Sequence, residues 1–260
     1  YETYDCASPI HIVSNNNSEL FVVEDKKTLA KYTRVIDEAA FNSGDIASVA
    51  SSVSDTDITG LCYADSNLYS LTKDLKYYKW NTSELATDSE ITIDDSSITD
   101  IGGFLIKNNR VYISDKSGSD NYVKIFYLSG NYWFQSSSSF KQPSDITADS
   151  GNNIYVADNQ NNKIINLDLD GNDGEHIDGV STPLGLAYSA STNRLYVTGK
   201  NSDNNPCVYV IDLSSYRVLY SFDLDGAYDL AICGTGTNSD LYITDKDGKK
   251  IIRLRSNYSW

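Results

Sequence analysis

The chain has 260 residues, with 36 Asp and Glu against 21 Lys and Arg and a net charge of −15. Charge of that sign repels phosphate backbones and anionic lipid and favours cations or basic partners, so nucleic acid is not expected as a ligand. An apolar fraction of 40% supplies a core, while no apolar run approaches the roughly 20 residues that span a bilayer, so membrane insertion is not expected either. The chain contains no Met and opens at Tyr1, which suits a processed, secreted product.

Six short apolar segments carry an aromatic at their second position: Leu20-Phe21-Val22, Leu68-Tyr69-Ser70, Val111-Tyr112-Ile113, Ile154-Tyr155-Val156, Leu195-Tyr196-Val197 and Leu241-Tyr242-Ile243. Their intervals of 48, 43, 43, 41 and 46 residues fall in the range of about 40 to 50 that marks propeller blades of four strands. A shorter apolar run precedes most of them, opened by Asp57, Asp100, Asp145 or Asp229. Between the two runs lie polar hairpins such as Lys107-Asn108-Asn109 and Ser191-Thr192-Asn193, rich in residues that tolerate left-handed turn geometry. A third strand follows, as in Val123–Tyr127, Lys163–Leu167, Val208–Leu213 and Lys249–Leu254. The fourth is the most variable. Ile36–Phe41 is the best helical candidate and amounts to one or two turns.

Strands that are apolar on both faces must be covered twice, which a ring of stacked, twisted sheets achieves. The fold expected is all-β: one domain over residues 1–260, a six-bladed β-propeller of four-stranded blades. The last blade lacks a fourth strand after Leu254, so residues 1–7 are expected to supply it and close the ring by pairing with Ile251–Leu254.

Two segments are informative about family. Pro143-Ser144-Asp145-Ile146-Thr147-Ala148-Asp149, followed by Asn153 to Ile164, resembles an NHL repeat, and Arg194–Thr198 with Val208–Leu213 resembles the YVTN repeat of microbial surface-layer propellers. The resemblance extends over blades 3 to 6; in blade 2, Thr72 and Lys73 replace the Ala-Asp that follows the second strand. Both families imply a propeller, and neither fixes an activity. For a secreted chain they imply binding or scaffolding outside cells.

Asp57, Asp100, Asp145 and Asp229 open first strands, and Glu24, Asp115, Asp158 and Asp245 close second strands, so all eight are expected around one mouth of the channel. Two readings stand. The first four are candidate ligands for calcium, which takes 6 to 8 hard oxygen ligands; alternatively each acid caps its own turn through backbone N–H groups. Asp168 to Gly174 looks like a calcium loop but departs from EF-hand spacing, with Asp173 where Gly is required, and an Asp-Gly hairpin explains it as well. No other cofactor is indicated.

Cys6, Cys62, Cys207 and Cys233 have no metal-ligand spacing and are candidates either for disulfides or for buried thiols. Sequons at Asn16, Asn81 and Asn257 are candidate N-glycosylation sites, all placed by the blade plan on the face opposite the acids. Ser136–Ser139, beside Trp133 and Phe134, reads as an O-glycosylated patch or a flexible loop.

Catalysis finds little support, since only His11 and His176 are present and no G-x-S-x-G segment occurs. The reading is a non-catalytic, secreted glycoprotein that binds protein or glycan partners and self-assembles into an extracellular surface or fibre. Tyr1–Tyr4 and Tyr258–Trp260 are candidate contacts. The enzyme alternative is a metal-dependent hydrolase of gluconolactonase type, which uses Glu, Asn and Asp around a metal at the channel mouth.

Overall fold

In the computed structural model, residues 1–15, 18–33, 51–52, 56–118, 121–234 and 239–255 are described. They form six four-stranded antiparallel sheets arranged as a six-bladed β-propeller. Blade 1 comprises β2 (Pro9–Ser14), β3 (Glu19–Glu24), β4 (Thr28–Thr33) and β5 (Ser51–Ser52). Blade 2 is β6 (Ile58–Ala64), β7 (Asn67–Thr72), β8 (Lys76–Asn81) and β9 (Ala86–Thr92). Blade 3 is β10 (Ile101–Lys107), β11 (Arg110–Asp115), β12 (Val123–Tyr127) and β13 (Tyr132–Gln135). Blade 4 follows with β14 (Pro143–Ala148), β15 (Ile154–Asp158), β16 (Lys163–Leu167) and β17 (Asp173–Ile177). Blade 5 is β18 (Leu186–Ser189), β19 (Arg194–Lys200), β20 (Pro206–Asp212) and β21 (Arg217–Asp223).

Blade 6 is built from both ends of the sequence. Its β22 (Ala227–Cys233), β23 (Asp240–Asp245) and β24 (Lys250–Leu254) are completed by β1 (Glu2–Asp5). The register is Glu2↔Arg253, Thr3↔Ile252, Tyr4↔Ile251 and Asp5↔Lys250, which is the expected closure. Arg253 anchors it: its guanidinium bonds Asp240, with Nε at 2.8 Å, and reaches Glu2 at 3.3 Å.

The recurrent aromatic occupies the blade-to-blade layers. Phe21 packs with Ile58, Leu61 and Trp80 of blade 2, Tyr155 with Leu195 and Val197 of blade 5, Tyr196 with Leu230 and Ile232 of blade 6, and Tyr242 with Ile12 and Leu20 of blade 1. Tyr112 reaches the next blade through its hydroxyl, which donates to the Leu169 carbonyl at 2.8 Å. A buried aromatic ring at a sheet-to-sheet contact combines a large apolar area with directional packing. Second strands are accordingly buried along almost their whole length, whereas β9, β17 and β21 alternate or are exposed. Ile36–Phe41 lies outside the described residues.

The hairpins follow their chemistry. Asn108 and Asn109 take φ of 49° and 58°, and Asp65 and Ser66 take 48° and 62°, the left-handed pair that matches strand twist in a two-residue loop. Longer hairpins use a second device: Asp149 accepts from the amide and side chain of Asn153, and Asp168 does the same for Asn172. The segment from Asp168 to Gly174 is thus held as a capped hairpin, with Asp170 paired to Arg110 at 2.7 Å.

All four cysteines are thiols, so the disulfide alternative is not realised. Cys62 lies in blade 2 facing the blade 3 backbone, where the Ile106 amide donates to its sulfur at 3.2 Å. Cys207 belongs to the layer between blades 4 and 5, and Cys233 to the layer between blades 6 and 1, against which Cys6 packs from the edge. Burial pushes the Cys62 and Cys6 thiols up to about 12, which leaves them unreactive.

Candidate functional site

The innermost strands β2, β6, β10, β14, β18 and β22 surround a central channel with two mouths. The mouth on the side of the β-hairpins between first and second strands opens into a cavity of about 530 Å³, walled by Leu61, Tyr63, Phe104, Ile146, Tyr188 and Leu230. The opposite mouth leads into a second hollow of about 320 Å³. His11, Thr59, Asp145 and Asp229 border both and therefore mark the waist.

The four acids expected to open first strands do not act alike: Asp57 and Asp100 precede β6 and β10, whereas Asp145 and Asp229 are the third residues of β14 and β22. Asp57 faces Lys26 at 3.5 Å and Asp100 faces Lys116 at 3.7 Å, both at the second mouth, where Lys246 also stands with its ammonium 5.5 Å from the Tyr228 ring. Asp145 and Asp229 turn inward and link blades. Asp145 accepts the Leu186 amide of blade 5 at 2.7 Å, and Asp229 accepts the Ile12 amide of blade 1 at 3.1 Å and its neighbour Leu230 at 2.8 Å. His11 Nδ1 stands 3.5 Å from Asp229. By register, Gly185 stands where blades 4 and 6 have Asp145 and Asp229, blade 1 has His11 and blades 2 and 3 have Gly60 and Gly103, and a Cβ at Gly185 would come within 2.6 Å of Asp229 Oδ1. Gly185 thereby lets the Asp229 carboxylate lie beside the residue whose neighbour binds Asp145. Burial, and then the Asp229 charge, hold the Asp145 carboxyl well above the usual carboxylate range.

The acids that close second strands serve their own turns. Asp115 accepts the Ser117 amide at 2.9 Å and pairs with Lys124 at 3.2 Å, Asp158 accepts the Lys141 amide at 2.7 Å, and Asp245 accepts Gly248 at 2.7 Å. Among the described residues, no group of three His, Cys, Asp or Glu side chains is placed to hold a metal ion.

A second feature lies on the outside. Five large hydrophobic side chains are exposed among the described residues, and three are in blade 3: Tyr127 at 49%, Tyr132 at 46% and Phe134 at 49%. Between them Trp133 is fixed, with Tyr127 stacked 5.4 Å from its ring and the Arg110 guanidinium 3.7 Å over it. Tyr127 ends β12, and β13, which carries Tyr132, Trp133 and Phe134, is the outer edge of its sheet and reads Tyr-Trp-Phe-Gln, without a charge. The edges β1, β9, β17 and β21 all carry charged residues, the usual protection of an unpaired strand.

The neighbouring serines follow β13 as a hydrogen-bonded loop. Ser136 is buried, its hydroxyl accepting the Val123 amide at 3.0 Å and donating to the Ser138 carbonyl at 2.8 Å, while the Ser138 hydroxyl donates to Asp173 at 2.6 Å. Asn81 is exposed at the end of β8, where the Ser83 amide and hydroxyl donate to its side-chain oxygen. Asn16, Asn257 and Tyr258–Trp260 lie outside the described residues. Among those described, no helix is long and apolar enough to cross a membrane.

Residues 140–165 match the NHL repeat, at the blade whose sequence carries that pattern most fully. No curated protein matches the chain by sequence. Solved structures share the fold at low identity. A chain of the crystal structure of the nidogen/laminin complex aligns with a TM-score of 0.66 and 11% identity, covering 86% of this chain and 84% of that one. Streptogramin B lyase aligns with a TM-score of 0.61 and 11% identity over 97% and 96%. Hydrazine synthase of Kuenenia stuttgartiensis aligns with 0.54 and 13% over 78% and 67%. A protein of a binding complex and an enzyme thus lie at similar structural distance, which fixes architecture alone.

Proposed function

Starting from an NHL/YVTN-type β-propeller, we propose that this chain is a non-catalytic binding and assembly module of an extracellular surface or fibre, and that blade 3 carries the contact with a second copy. The observation behind this reading is the uncharged aromatic edge strand β13. Aromatic side chains are the usual anchors of interfaces, and an unpaired strand edge offers backbone donors and acceptors for antiparallel addition. A net charge of −15 opposes self-association everywhere except at a neutral patch, and two β13 edges meeting about a two-fold axis would bring neutral surfaces together. The nidogen likeness, to a propeller solved in complex with laminin, agrees with a protein partner. The sequon at exposed Asn81 would accept a glycan in a secretory pathway. The metal-dependent hydrolase reading needs converging ligands at a channel mouth, and the lysines beside Asp57 and Asp100 speak against it.

Sedimentation velocity over a wide concentration range tests the proposal. Association is expected, strengthened by salt because screening weakens the general repulsion, and lost in Tyr132→Lys/Phe134→Lys. A monomer at every concentration and salt, or association that the double variant leaves unchanged, refutes it.

A further inference from the structure

The central channel has properties that assembly through blade 3 does not use. Its larger cavity, about 530 Å³, lies within the range of roughly 300 to 1,000 Å³ typical of small-molecule sites, which are mostly apolar with a few convergent polar groups. The wall fits that description: among its partly exposed residues, Tyr63 and Tyr188 contribute aromatic surface, Val13, Ala64 and Ala148 aliphatic surface, and Thr59 and Thr147 hydroxyls. The floor is different in kind. Asp145 and Asp229 approach each other at the waist around Gly185, and each carboxylate is held in place by backbone amides, with His11 Nδ1 3.5 Å from Asp229 beside them. A carboxylate has about four acceptor directions, and at each of these acids backbone amides take two. The lysines that neutralise Asp57 and Asp100 stand at the other mouth. On the cavity side, Lys107 at the rim donates to the Asp149 carbonyl at 3.1 Å.

We propose that this cavity binds a small organic cation, a primary ammonium group carried on an aromatic or aliphatic body, with the ammonium at Asp145 and Asp229 and the body against Tyr63 and Tyr188. An ammonium has three donors and no acceptor, which suits two carboxylates with acceptor directions left over. Its apolar body replaces water along the wall, and aromatic faces attract the cation as well. A metal ion suits the place less, because calcium requires 6 to 8 oxygens and among the described residues no three His, Cys, Asp or Glu side chains converge there. A neutral ligand of the same shape would leave the repulsion between Asp145 and Asp229 uncompensated by any positive charge. The Gly185 backbone matters for the same reason: with a side chain there, Asp229 could not occupy its position.

Calorimetric titration of the full chain with phenethylammonium chloride, 2-phenylethanol and calcium chloride tests the proposal. The ammonium is expected to bind ten- to hundredfold more tightly than the alcohol, the roughly expected gain of a charge-assisted hydrogen bond. Asp145→Asn should weaken the ammonium about tenfold and leave the alcohol unchanged. Gly185→Ala, which retains both acids but displaces Asp229, should also weaken it, and circular dichroism of both variants establishes that they fold. Equal affinity for ammonium and alcohol, no binding of the ammonium up to about 20 mM, or binding of calcium alone would each overturn the assignment. Association measured in the same samples is expected to be unaffected, so failure here and failure of the blade 3 interface are distinguishable.

Discussion

Removing residues 1–5 takes away the fourth strand of blade 6 and with it the closure of the ring. The strand pairs four residues with β24, and none of its side chains is fully buried, so most of what is lost is backbone ladder. About four hydrogen bonds at a net 0.5–1.5 kcal/mol each give roughly 2–4 kcal/mol after allowance for fraying. For a chain of 260 residues, unfolding entropy of about 2.1 cal/mol/K per residue converts each kcal/mol into about 2 °C. The truncated protein should therefore melt about 4–8 °C lower in differential scanning calorimetry, with faster hydrogen exchange concentrated in β24. Glu2→Gln serves as the control: it removes the ion pairs to Arg253 and Arg255 but keeps the ladder, and a partly exposed pair is worth at most about 1 kcal/mol. A truncated protein melting within about 1 °C of the parent, or a Glu2→Gln variant that loses as much as the truncation, would refute the assignment of stability to the ladder.

Three further outcomes follow from other parts of the molecule. The Asp145 carboxyl is held protonated more strongly in the folded than in the unfolded chain, so its contribution is present below the unfolded value near 3.9 and is lost as pH rises through the folded value; Asp145→Asn should therefore gain stability relative to the parent between pH 4 and pH 7, and a constant difference across that interval would contradict the buried-carboxylate account. Gly102→Ala should destabilise by about 1–3 kcal/mol, because its Cβ would lie 1.9 Å from the Pro143 carbonyl of the next blade, whereas Gly151→Ala, with no contact under 3.3 Å, should change the melting temperature by less than about 1 °C; similar effects from the two would refute the close-approach argument. Peptide mapping of natively purified protein should find glycan on Asn81, and a bare asparagine there would remove that support for secretion.

The propeller was legible because each blade repeats a local pattern. The aromatic at the second position of the second strand, the Asn-rich hairpins and the missing last strand are all written within about 45 residues of sequence, and closure by residues 2–5 follows from counting strands. The site was harder to read. Asp57, Asp100, Asp145 and Asp229 all stand before an apolar residue, yet the first two meet lysines and the other two bind neighbouring backbone. What decides is strand register: Asp57 and Asp100 precede β6 and β10, whereas Asp145 and Asp229 are the third residues of β14 and β22, three positions further along the blade. The edge of blade 3 was hard to read for a related reason. Ser136–Ser139 do lie outside the strands, but only the pairing of Ile125 with Phe134 and Phe126 with Tyr132 shows that the fourth strand forms just before them. Fourth strands are solvent-facing, so their sequence obeys no common burial pattern.

The pairing of Glu2 with Arg253 also constrains the order of events during biosynthesis. The strand that completes blade 6 is among the first parts of this sequence to leave the ribosome, and its partner is among the last. At translation rates of about 5–20 residues per second the wait is on the order of tens of seconds. Blades 1 to 5 can each form from contiguous sequence in that interval, but the layer between blades 6 and 1 cannot, and the apolar faces of Ile12, Leu20 and Val22 remain open to solvent or to a chaperone until β22 to β24 arrive. Contacts of such long sequence separation slow folding. Until β24 has been made the nascent propeller is thus an unclosed arc, and the step that seals it also covers these apolar faces.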